Sequence, residues 1–426
     1  MRYQNLFKFI AFNVDRRCDN NAVWDKEVSG MSTSPASETP TSAPQLRTGI
    51  WFVGARGSVA TTATLGSLAV AAGLAERTGL VTELEPIAAA AAPIGIGSLV
   101  TGGHDVVDTP LPERAEALAA SGVFPFALVA ALREDLSAAD ARIRITPQRE
   151  TQRETATAIA DDLRAFAEEH DLARVVVVDV SNTEAPVQPG PELNDLATLE
   201  QALDAGRSPL PQSSLYAYAA FRAGCSLVAF TPSPGPNLPA LVELAQRQNV
   251  PWAGRDGKTG ETLVKTTLAP MFATRALKVR SWASYNLLGG GDGQTLADPD
   301  AALSKTTTKG AGVDAILGHH VDGPLRIDYV EDLGDWKTAW DHVSFEGFLG
   351  TRMTMQFTWQ GCDSALAAPL VLDLVRLVAR AHETGEVGVI GAMAFFFKEP
   401  LGGEEHSLSG QWQALSEWCE KLAIAQ

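Results

Sequence analysis

The sequence predicts an α/β fold built on a doubly wound parallel sheet, and three observations support this. A short apolar run, Gly49–Val53, ends in a glycine-rich turn and continues as a small-residue helix to about Ala72. An amphipathic stretch at residues 150–170 leads into the unbroken β-branched run Arg174–Val180, which suits a strand buried on both faces. A second helix-to-strand unit follows at residues 215–231. This alternation is typical of parallel sheets that are covered by helices.

The composition is that of a globular protein with a sizeable core. The 426 residues are 45% hydrophobic and 20% charged, which excludes fibrous and wholly disordered classes. There are 34 Lys and Arg residues against 51 Asp and Glu residues, so the net charge is −17 at pH 7. This acidity argues against a protein that binds nucleic acid by neutralising phosphates.

The N-terminal residues 1–46 are predicted to be a disordered tail, because residues 31–44 are a Ser/Thr/Pro run without apolar periodicity. Met31 stays open as an alternative start. The longest uncharged run, at residues 86–104, is interrupted by Pro93 and several glycines, and it predicts a loop and a strand instead of a membrane span. The four cysteines are scattered, without metal spacing or the density of a disulfide scaffold, which favours a cytoplasmic protein.

The turn after the first strand, Gly54-Ala-Arg-Gly57-Ser-Val-Ala60, has the order of a dinucleotide-binding site: strand, glycine turn, helix. Glycine lets the backbone approach a pyrophosphate, and the helix N-terminus directs its amides and dipole toward it. The spacing is a variant, so a tight turn without a ligand is the alternative. Ser181–Glu184 supply polar residues at the end of the buried strand, where open α/β sheets bind ligands.

The pattern changes after residue 262, from βα alternation to strands separated by Gly-rich loops. We therefore expect a Rossmann-like sheet over residues 47–262 that is completed by residues 364–426. Between these parts we expect an inserted α+β domain at residues 263–363. The returning segment begins with a strong helical pattern at Ala367–Glu383.

Lysine usage is uneven along the chain. Only ten of the 34 basic residues are lysines, and between Glu27 and Gly257 there are 15 arginines and no lysine. A desolvated lysine can give up its proton whereas arginine cannot, so the later lysines are candidates for proton chemistry. Uneven codon usage is the alternative. These lysines are Lys258, Lys265, Lys278, Lys305, Lys309, Lys337 and Lys398.

Between residues 48 and 401, several blocks follow one another in the order of a known family. They are the glycine turn, Gly102–Asp105, Asn182–Glu184, Ala253–Thr262, Ser284–Gly293, Ser304–Lys309, Gly334–Lys337, Asp363–Leu370 and Lys398–Leu401. Together they resemble the NAD-dependent myo-inositol phosphate synthases. The resemblance implies an isomerase of myo-inositol and phospholipid biosynthesis that converts glucose 6-phosphate to 1D-myo-inositol 3-phosphate. It also implies a homotetramer, in which the inserted domain carries both the catalytic residues and the contacts between subunits. Whether a divalent or a monovalent cation is needed stays open.

The same resemblance implies the site residues. The catalytic residues would be Lys305, Lys309, Lys337, Lys398, Asp292 and Asp335. The NAD-binding residues would be Gly54, Ala55, Arg56, Gly57, Ser58, Val59, Asp105, Asn182, Thr183, Asp256 and Asp363. The substrate-binding residues would be Thr259, Gly260, Asn286, Lys309 and Lys337. For Asp105, a contact with the NAD ribose and a helix-capping role are both open.

The implied reaction oxidises carbon 5 of the sugar, forms an enolate, closes the ring on the carbon 1 aldehyde and reduces the ketone, without net redox. Each step develops negative charge on oxygen, which cations stabilise in a water-poor site. Lysines can also act as bases when their pKa is lowered. We assign Lys305 and Lys398 to the carbon 5 oxygen, and Lys309 and Lys337 to the phosphate and aldehyde oxygens; these roles could be exchanged.

The sequence departs from the family at three places. Thr259 replaces a serine and keeps the hydroxyl, and Arg255 replaces an aspartate. Gly290-Gly291 replace two asparagines and remove a side chain that could bind a sugar hydroxyl or the nicotinamide. One alternative is therefore a paralogue that cyclises another sugar phosphate, such as a ketohexose phosphate. A second is an NAD dehydrogenase with net turnover, and a non-catalytic NAD-binding scaffold is disfavoured by the retained lysines.

Overall fold

The computed structural model describes residues 47–185, 190–290 and 312–424. The strands in these ranges are β1 (Arg47–Val53), β2 (Leu99–Asp105), β3 (Ile143–Ile145), β4 (Leu172–Asp179), β5 (Ser226–Ala229), β6 (Pro251–Gly254), β7 (Lys278–Leu288), β8 (Leu325–Tyr329), β9 (Trp336–Glu346), β10 (Arg352–Cys362) and β11 (Gly388–Val389).

The α-helices in the same ranges are α1 (Ser58–Ala71), α2 (Ile87–Ala91), α3 (Leu111–Ala120), α4 (Phe126–Ala131), α5 (Arg133–Asp140), α6 (Gln152–Glu169), α7 (Leu196–Asp204), α8 (Gln212–Arg222), α9 (Pro239–Arg247), α10 (Glu261–Thr274), α11 (Asp363–Glu383) and α12 (Leu408–Ile424). Residues 312–317 are also helical.

Seven parallel strands of the described ranges form one sheet, in the order β11-β6-β5-β4-β1-β2-β3. The order reverses between β1 and β4, as it does in dinucleotide-binding sheets. The predicted α/β fold class with a doubly wound parallel sheet is therefore confirmed.

Strand β4 shows why this sheet is buried on both faces. Val176 and Val178 pack into the core that contains α1 and α11, whereas Val175 and Val177 pack into the core that contains α6 and α8. Successive side chains of a strand point to opposite faces, so only an unbroken apolar run can fill both cores. The helix α6 that precedes β4 begins with a capping box formed by Thr151 and Glu154.

A second sheet of four strands follows within the described residues, in the order β10-β9-β7-β8. Strand β9 is antiparallel to both β7 and β10, and β8 is parallel to β7. Helix α10 leads into this sheet from the end of β6, and α11 begins directly where β10 ends. Helices α10 and α11 thus connect the two sheets. The boundaries at residues 262 and 363 remain a prediction.

Secondary structure departs from the sequence-based expectation at two places. Helix α11 begins at Asp363 instead of Ala367, and the segment after Pro86, expected to be loop before its strand, contains the short helix α2. Of the helices described, none has the length and apolar character needed to span a membrane.

Candidate active site

A cleft of about 840 Å³ opens at the carboxyl ends of the central strands of the parallel sheet. Its walls include the turn after β1, the loops after β4, β5 and β6, and the first residues of β9 in the second sheet. The reversal of strand order between β1 and β4 lies here, and open α/β sheets bind ligands at such switch points. This cleft is therefore the candidate active site.

The glycine turn between β1 and α1 forms one wall of the cleft. Gly54 has a φ of +87°, and a Cβ on it would lie 3.2 Å from the Cα of Ser181. A Cβ on Gly103 of the neighbouring strand would lie 2.3 Å from the carbonyl oxygen of Phe52, so that strand also needs glycine. Gly57 is the N-cap of α1 and supplies no side-chain hydrogen bond, which leaves the first helical amides to a ligand. This backbone fits the pyrophosphate of a dinucleotide.

Asp105 holds the glycine turn against the end of β2. Its buried carboxylate accepts hydrogen bonds from the backbone amides of Arg56 at 2.6 Å, Val106 at 2.7 Å and Val107 at 2.9 Å. The guanidinium of Arg56 donates to Asp140 at 3.0 Å and to the carbonyl of Val107 at 2.7 Å. Asp105 therefore caps a turn and not a helix, because α3 begins farther along the chain with a different N-cap. A ribose contact of Asp105 remains a prediction.

Asn182 and Thr183 line the cleft in the loop after β4. The loop is fixed by Asp179, whose carboxylate accepts from the amide of Ser181 at 3.1 Å and from its hydroxyl at 2.6 Å. Burial raises the pKa of the Asp179 carboxyl. Asp179 was not among the residues predicted from the sequence, although its position at the end of a buried strand could have suggested it.

Lys398 and Asp256 form an ion pair at one side of the cleft. Lys398 Nζ lies 2.9 Å from Asp256 Oδ1, and both side chains are largely buried. The amide of Lys398 also donates to the carbonyl of Asp256 at 2.7 Å, so two backbone segments run side by side. The neighbouring pair across these segments, Arg255 and Glu399, forms a second salt bridge at 2.5 Å. Arg255, which departs from the family pattern, thus holds the two segments together.

Lys337, Thr259 and Asp363 form a second polar group that lines the cleft. Lys337 Nζ donates to the hydroxyl of Thr259 at 2.8 Å and forms an ion pair with Asp363. The Thr259 hydroxyl donates to Asp363 Oδ1 at 3.0 Å. The three side chains come from the loop before α10, from β9 and from the start of α11. A Cβ on Gly260 would lie 3.1 Å from Lys337 Cε, so glycine permits this close approach.

Asp335 lines the cleft, and its carboxylate contacts the start of α11. It accepts from the amide of Ser364 at 3.0 Å, from the Ser364 hydroxyl and from Cys362 Sγ at 3.3 Å. Burial, followed by other effects that include the nearby Asp335 charge, raises the pKa of the Cys362 thiol to about 11. These contacts stabilise the start of α11. The catalytic role expected for Asp335 remains a prediction.

Behind the lysine groups lies an inner cavity of about 50 Å³. Asn286 of β7 is buried and borders this cavity. Its expected role in substrate binding remains a prediction. The cavity is also bordered by a residue that no sequence pattern pointed to, Trp359 of β10. The other polar residues around it are Thr259, Glu261, Thr262, Lys337, Asp363 and Lys398.

The described ranges bring together much of the expected site. Besides the residues above, Arg56, Ser58 and Val59 line the cleft, whereas Ala55 is buried behind the turn. Three expected catalytic residues, Asp292, Lys305 and Lys309, lie outside the described residues. Lys337 and Lys398 are thus the two expected lysines whose surroundings are known.

Two other lysines of the seven from Lys258 to Lys398 point away from the cleft. Lys258 Nζ donates to the side chain of Gln411 on α12, and burial lowers the pKa of this ammonium to about 7. Lys265 Nζ lies 2.5 Å from Glu261 and donates to Ser284 at 2.7 Å in the interior of the second sheet. The later lysines therefore include residues that make buried structural contacts as well as residues that line the cleft. Among the described residues, no group of His, Cys, Asp or Glu has the form of a metal site.

Comparison with known protein families gives a match over nearly the whole of the described chain. Residues 48–420 match the model of an NAD-binding family that is described as myo-inositol-1-phosphate synthase. The chain is 32% identical over 408 residues to inositol-3-phosphate synthase 1 of Bacteroides thetaiotaomicron, a match that covers 87% of this chain and 94% of that protein. It is 35% identical over 237 residues to inositol-3-phosphate synthase of Dictyostelium discoideum, which covers 53% of this chain and 46% of that protein.

Solved structures show the same fold. An inositol-3-phosphate synthase from Caenorhabditis elegans superposes with a TM-score of 0.79 at 23% identity, covering 89% of this chain and 86% of that chain. A myo-inositol-1-phosphate synthase-related protein from Thermotoga maritima superposes with a TM-score of 0.70 at 25% identity, covering 88% of this chain and 98% of that chain.

Proposed function

Because the chain belongs to the myo-inositol-1-phosphate synthase family, we propose that it converts D-glucose 6-phosphate to 1D-myo-inositol 3-phosphate with NAD as a catalytic cofactor. One observation carries the proposal beyond the family match. The glycine turn and two lysine–carboxylate groups, Lys398 with Asp256 and Lys337 with Asp363, border the same cleft. A redox cofactor and preorganised cations are the two things that this cyclisation needs.

The residues around the glycine turn fit NAD. Gly54 permits close backbone approach, and the uncapped start of α1 offers amides to a pyrophosphate. When bound, NAD supplies the oxidation of carbon 5 and the later reduction at the same carbon. Asp105 lies at the end of β2 beside the glycine turn, and a contact of its carboxylate with the NAD ribose is part of this proposal.

Lys398 is suited to hold and move the proton of the carbon 5 hydroxyl. Asp256 fixes its ammonium at 2.9 Å, and burial of both side chains strengthens the electrostatic interactions in this part of the cleft. With its proton, Lys398 stabilises negative charge on the carbon 5 oxygen; without it, Lys398 accepts the hydroxyl proton. Asp256 orients the amine in both states.

Lys337 and Thr259 are suited to bind the substrate phosphate. Lys337 supplies a charge and Thr259 a hydroxyl, 2.8 Å apart. Gly260 follows as the N-cap of α10 without a side-chain cap. Phosphates bind well where a cation, a hydroxyl and helical amides lie close together.

The test is product identification. The protein is incubated with glucose 6-phosphate and NAD, and the product is identified by NMR, with fructose 6-phosphate as a parallel substrate. The proposal expects an inositol monophosphate from glucose 6-phosphate and almost no NADH accumulation. A different cyclised product from fructose 6-phosphate alone, or one NADH for each sugar consumed, would contradict it.

We further propose a homotetramer, as implied for the family. The outer face of the second sheet supports this, because its exposed side chains include Tyr285, Leu287 and Trp340, with the Tyr285 and Trp340 rings 5.8 Å apart. Such an aromatic surface is typical of protein interfaces. Light scattering after size exclusion should give about four times the 45.2 kDa chain mass; a monomer mass would exclude the tetramer.

A cytoplasmic location also stays a proposal. Its support is that Cys225, Cys362 and Cys419 are free thiols in the described structure. Free buried thiols are usual in reducing compartments. Fractionation of cells that express the protein tests this, since recovery outside the cytoplasm would contradict it.

A further inference from the structure

Trp359 places an indole N–H at the inner cavity behind the cleft. The residue borders this cavity of about 50 Å³ together with Thr259 and Lys337. Its Nε1 atom is buried, and among the described residues it has no hydrogen-bond partner. A buried donor without an acceptor is costly. Trp51 Nε1 and Trp252 Nε1 are in the same state, but Trp359 differs from them because it borders a cavity that a ligand can enter.

The indole nitrogen lies close to the lysine ammonium. A Cβ built on Gly260 would lie 2.9 Å from Trp359 Nε1 and 3.4 Å from Lys337 Nζ, so both nitrogens border the same small volume. A Cβ on Gly361 would lie 3.3 Å from the same indole nitrogen. Glycine at both positions keeps side chains away from this nitrogen.

The surroundings provide hydrogen-bond donors for a group with several acceptor oxygens. Lys337 and Lys398 are cationic, and Thr259 provides a hydroxyl. The two carboxylates at the cavity are paired with lysines: Asp363 with Lys337, and Glu261 with Lys265. The volume exceeds that of one water molecule, about 30 Å³, so a group larger than water can enter.

We propose that Trp359 is a substrate-binding residue whose Nε1–H donates a hydrogen bond to an oxygen of the substrate's phosphate group. This inference rests on the proposed function, since it assumes a sugar phosphate in the cleft. Lys337 supplies charge and Thr259 a rotatable hydroxyl, whereas the indole is a rigid, uncharged donor with one fixed direction. Trp359 therefore fixes the orientation of the phosphate, while the lysine supplies most of the attraction.

The first test compares Trp359→Phe with the wild-type protein, both saturated with NAD. Phenylalanine keeps an aromatic ring and removes the donor. Titration calorimetry with inorganic phosphate should show binding weakened roughly tenfold or more in the variant, the usual effect of losing a hydrogen bond to a charged group. NAD affinity should not change. Trp418→Phe, the same substitution on α12 away from the cleft, is the matched control and should bind phosphate as the wild type does.

The second test follows phosphate binding in the wild-type protein, and the variant serves only to assign one resonance. The protein is labelled with ¹⁵N-tryptophan, and the indole resonance that is missing from the Trp359→Phe spectrum is followed during phosphate titration. A downfield shift of this proton supports the proposal. An unmoved resonance, or equal phosphate affinity in Trp359→Phe and wild type, would overturn it. Neither test needs turnover, so a failure here is distinct from a failure to form inositol phosphate.

Discussion

Lys398 is the described residue on which the proposed proton transfer depends most. We predict that Lys398→Ala lowers kcat by about 10²- to 10⁴-fold, the usual contribution of a general acid–base group. The variant should still bind NAD, because the glycine turn is formed by a different part of the chain. The measurement is the initial rate of inositol phosphate formation, with NAD binding followed by calorimetry.

The matched control for this prediction is Lys421→Ala, which removes an exposed lysine on α12. It should leave the rate unchanged. A Lys398→Ala variant that keeps full activity would refute the role assigned to the ammonium. A variant that loses NAD as well would instead place Lys398 in cofactor binding.

At the level of single residues, the sequence predicted which side chains border the cleft better than it predicted their contacts. Lys337 and Lys398 lie in the cleft as expected, but Lys258, from the same lysine cluster, points to Gln411 on α12. Side-chain direction follows from strand pairing and packing, which one sequence does not show. Trp359 was missed for the same reason, because only the pairing of β9 and β10 brings it beside Lys337.

The helix α1 and its preceding turn offer a prediction at the level of the element. Gly54→Ala should weaken NAD binding, since alanine at a φ of +87° is strained and its Cβ would press on the loop after β4. We expect the strained backbone to cost roughly 1–3 kcal/mol. Calorimetry measures the resulting loss of NAD affinity, and thermal unfolding measures the loss of stability.

The same helix provides the control. Gly66 lies in α1, and a Cβ there would have no atom within 4 Å. Gly66→Ala should therefore raise the free energy of unfolding by about 0.5–1 kcal/mol and leave NAD binding unaltered. Equal NAD affinity in Gly54→Ala and Gly66→Ala would show that the turn does not hold the cofactor.

The contact between α12 and the loop before α10 should make stability depend on pH. Burial lowers the pKa of the Lys258 ammonium to about 7, against an ordinary value of 10.5. Between these two pH values the unfolded chain binds the extra proton, so this group makes the free energy of unfolding rise with pH. Below pH 7 both states are protonated, and the destabilisation by the buried charge is fully present.

We predict that Lys258→Met loses this dependence. Between about pH 7.5 and 9.5 the slope for the wild type should exceed that for the variant, approaching about 1.4 kcal/mol per pH unit. Urea denaturation at several pH values measures both slopes. Lys421→Ala, which removes an exposed lysine, should keep the wild-type slope; identical slopes for wild type and Lys258→Met would contradict the buried neutral amine.

The elements themselves were largely predictable. The amphipathic pattern of α6 and the β-branched run of β4 predicted one helix–strand unit. A helix buried on one face shows a helical periodicity of apolar residues, whereas a strand buried on both faces is apolar throughout. The start of α11 was placed too late because polar residues such as Asp363 and Ser364 serve in its first turn, where apolar periodicity gives no information. The five-residue α2 is too short for a periodic pattern to reveal.

For the whole molecule, the fold class followed from the alternation of helices and strands, and the family from the order of short motifs. The relation between the two sheets could not be predicted, because it depends on contacts such as Lys337 with Thr259 and Asp363, which lie far apart in sequence. Those contacts join the cofactor-binding sheet to the second sheet at one cleft. We propose that oxidation, ring closure and reduction all occur there on one bound sugar.

The most direct test of this claim uses glucose 6-phosphate that carries deuterium at carbon 5. The protein is incubated with this substrate and unlabelled NAD, and the product is analysed by NMR and mass spectrometry. We expect an inositol monophosphate that keeps the deuterium at the carbon derived from carbon 5, because the same carbon is oxidised and reduced within one binding event. A product that has lost the deuterium, with label accumulating in released NADH, would contradict the account.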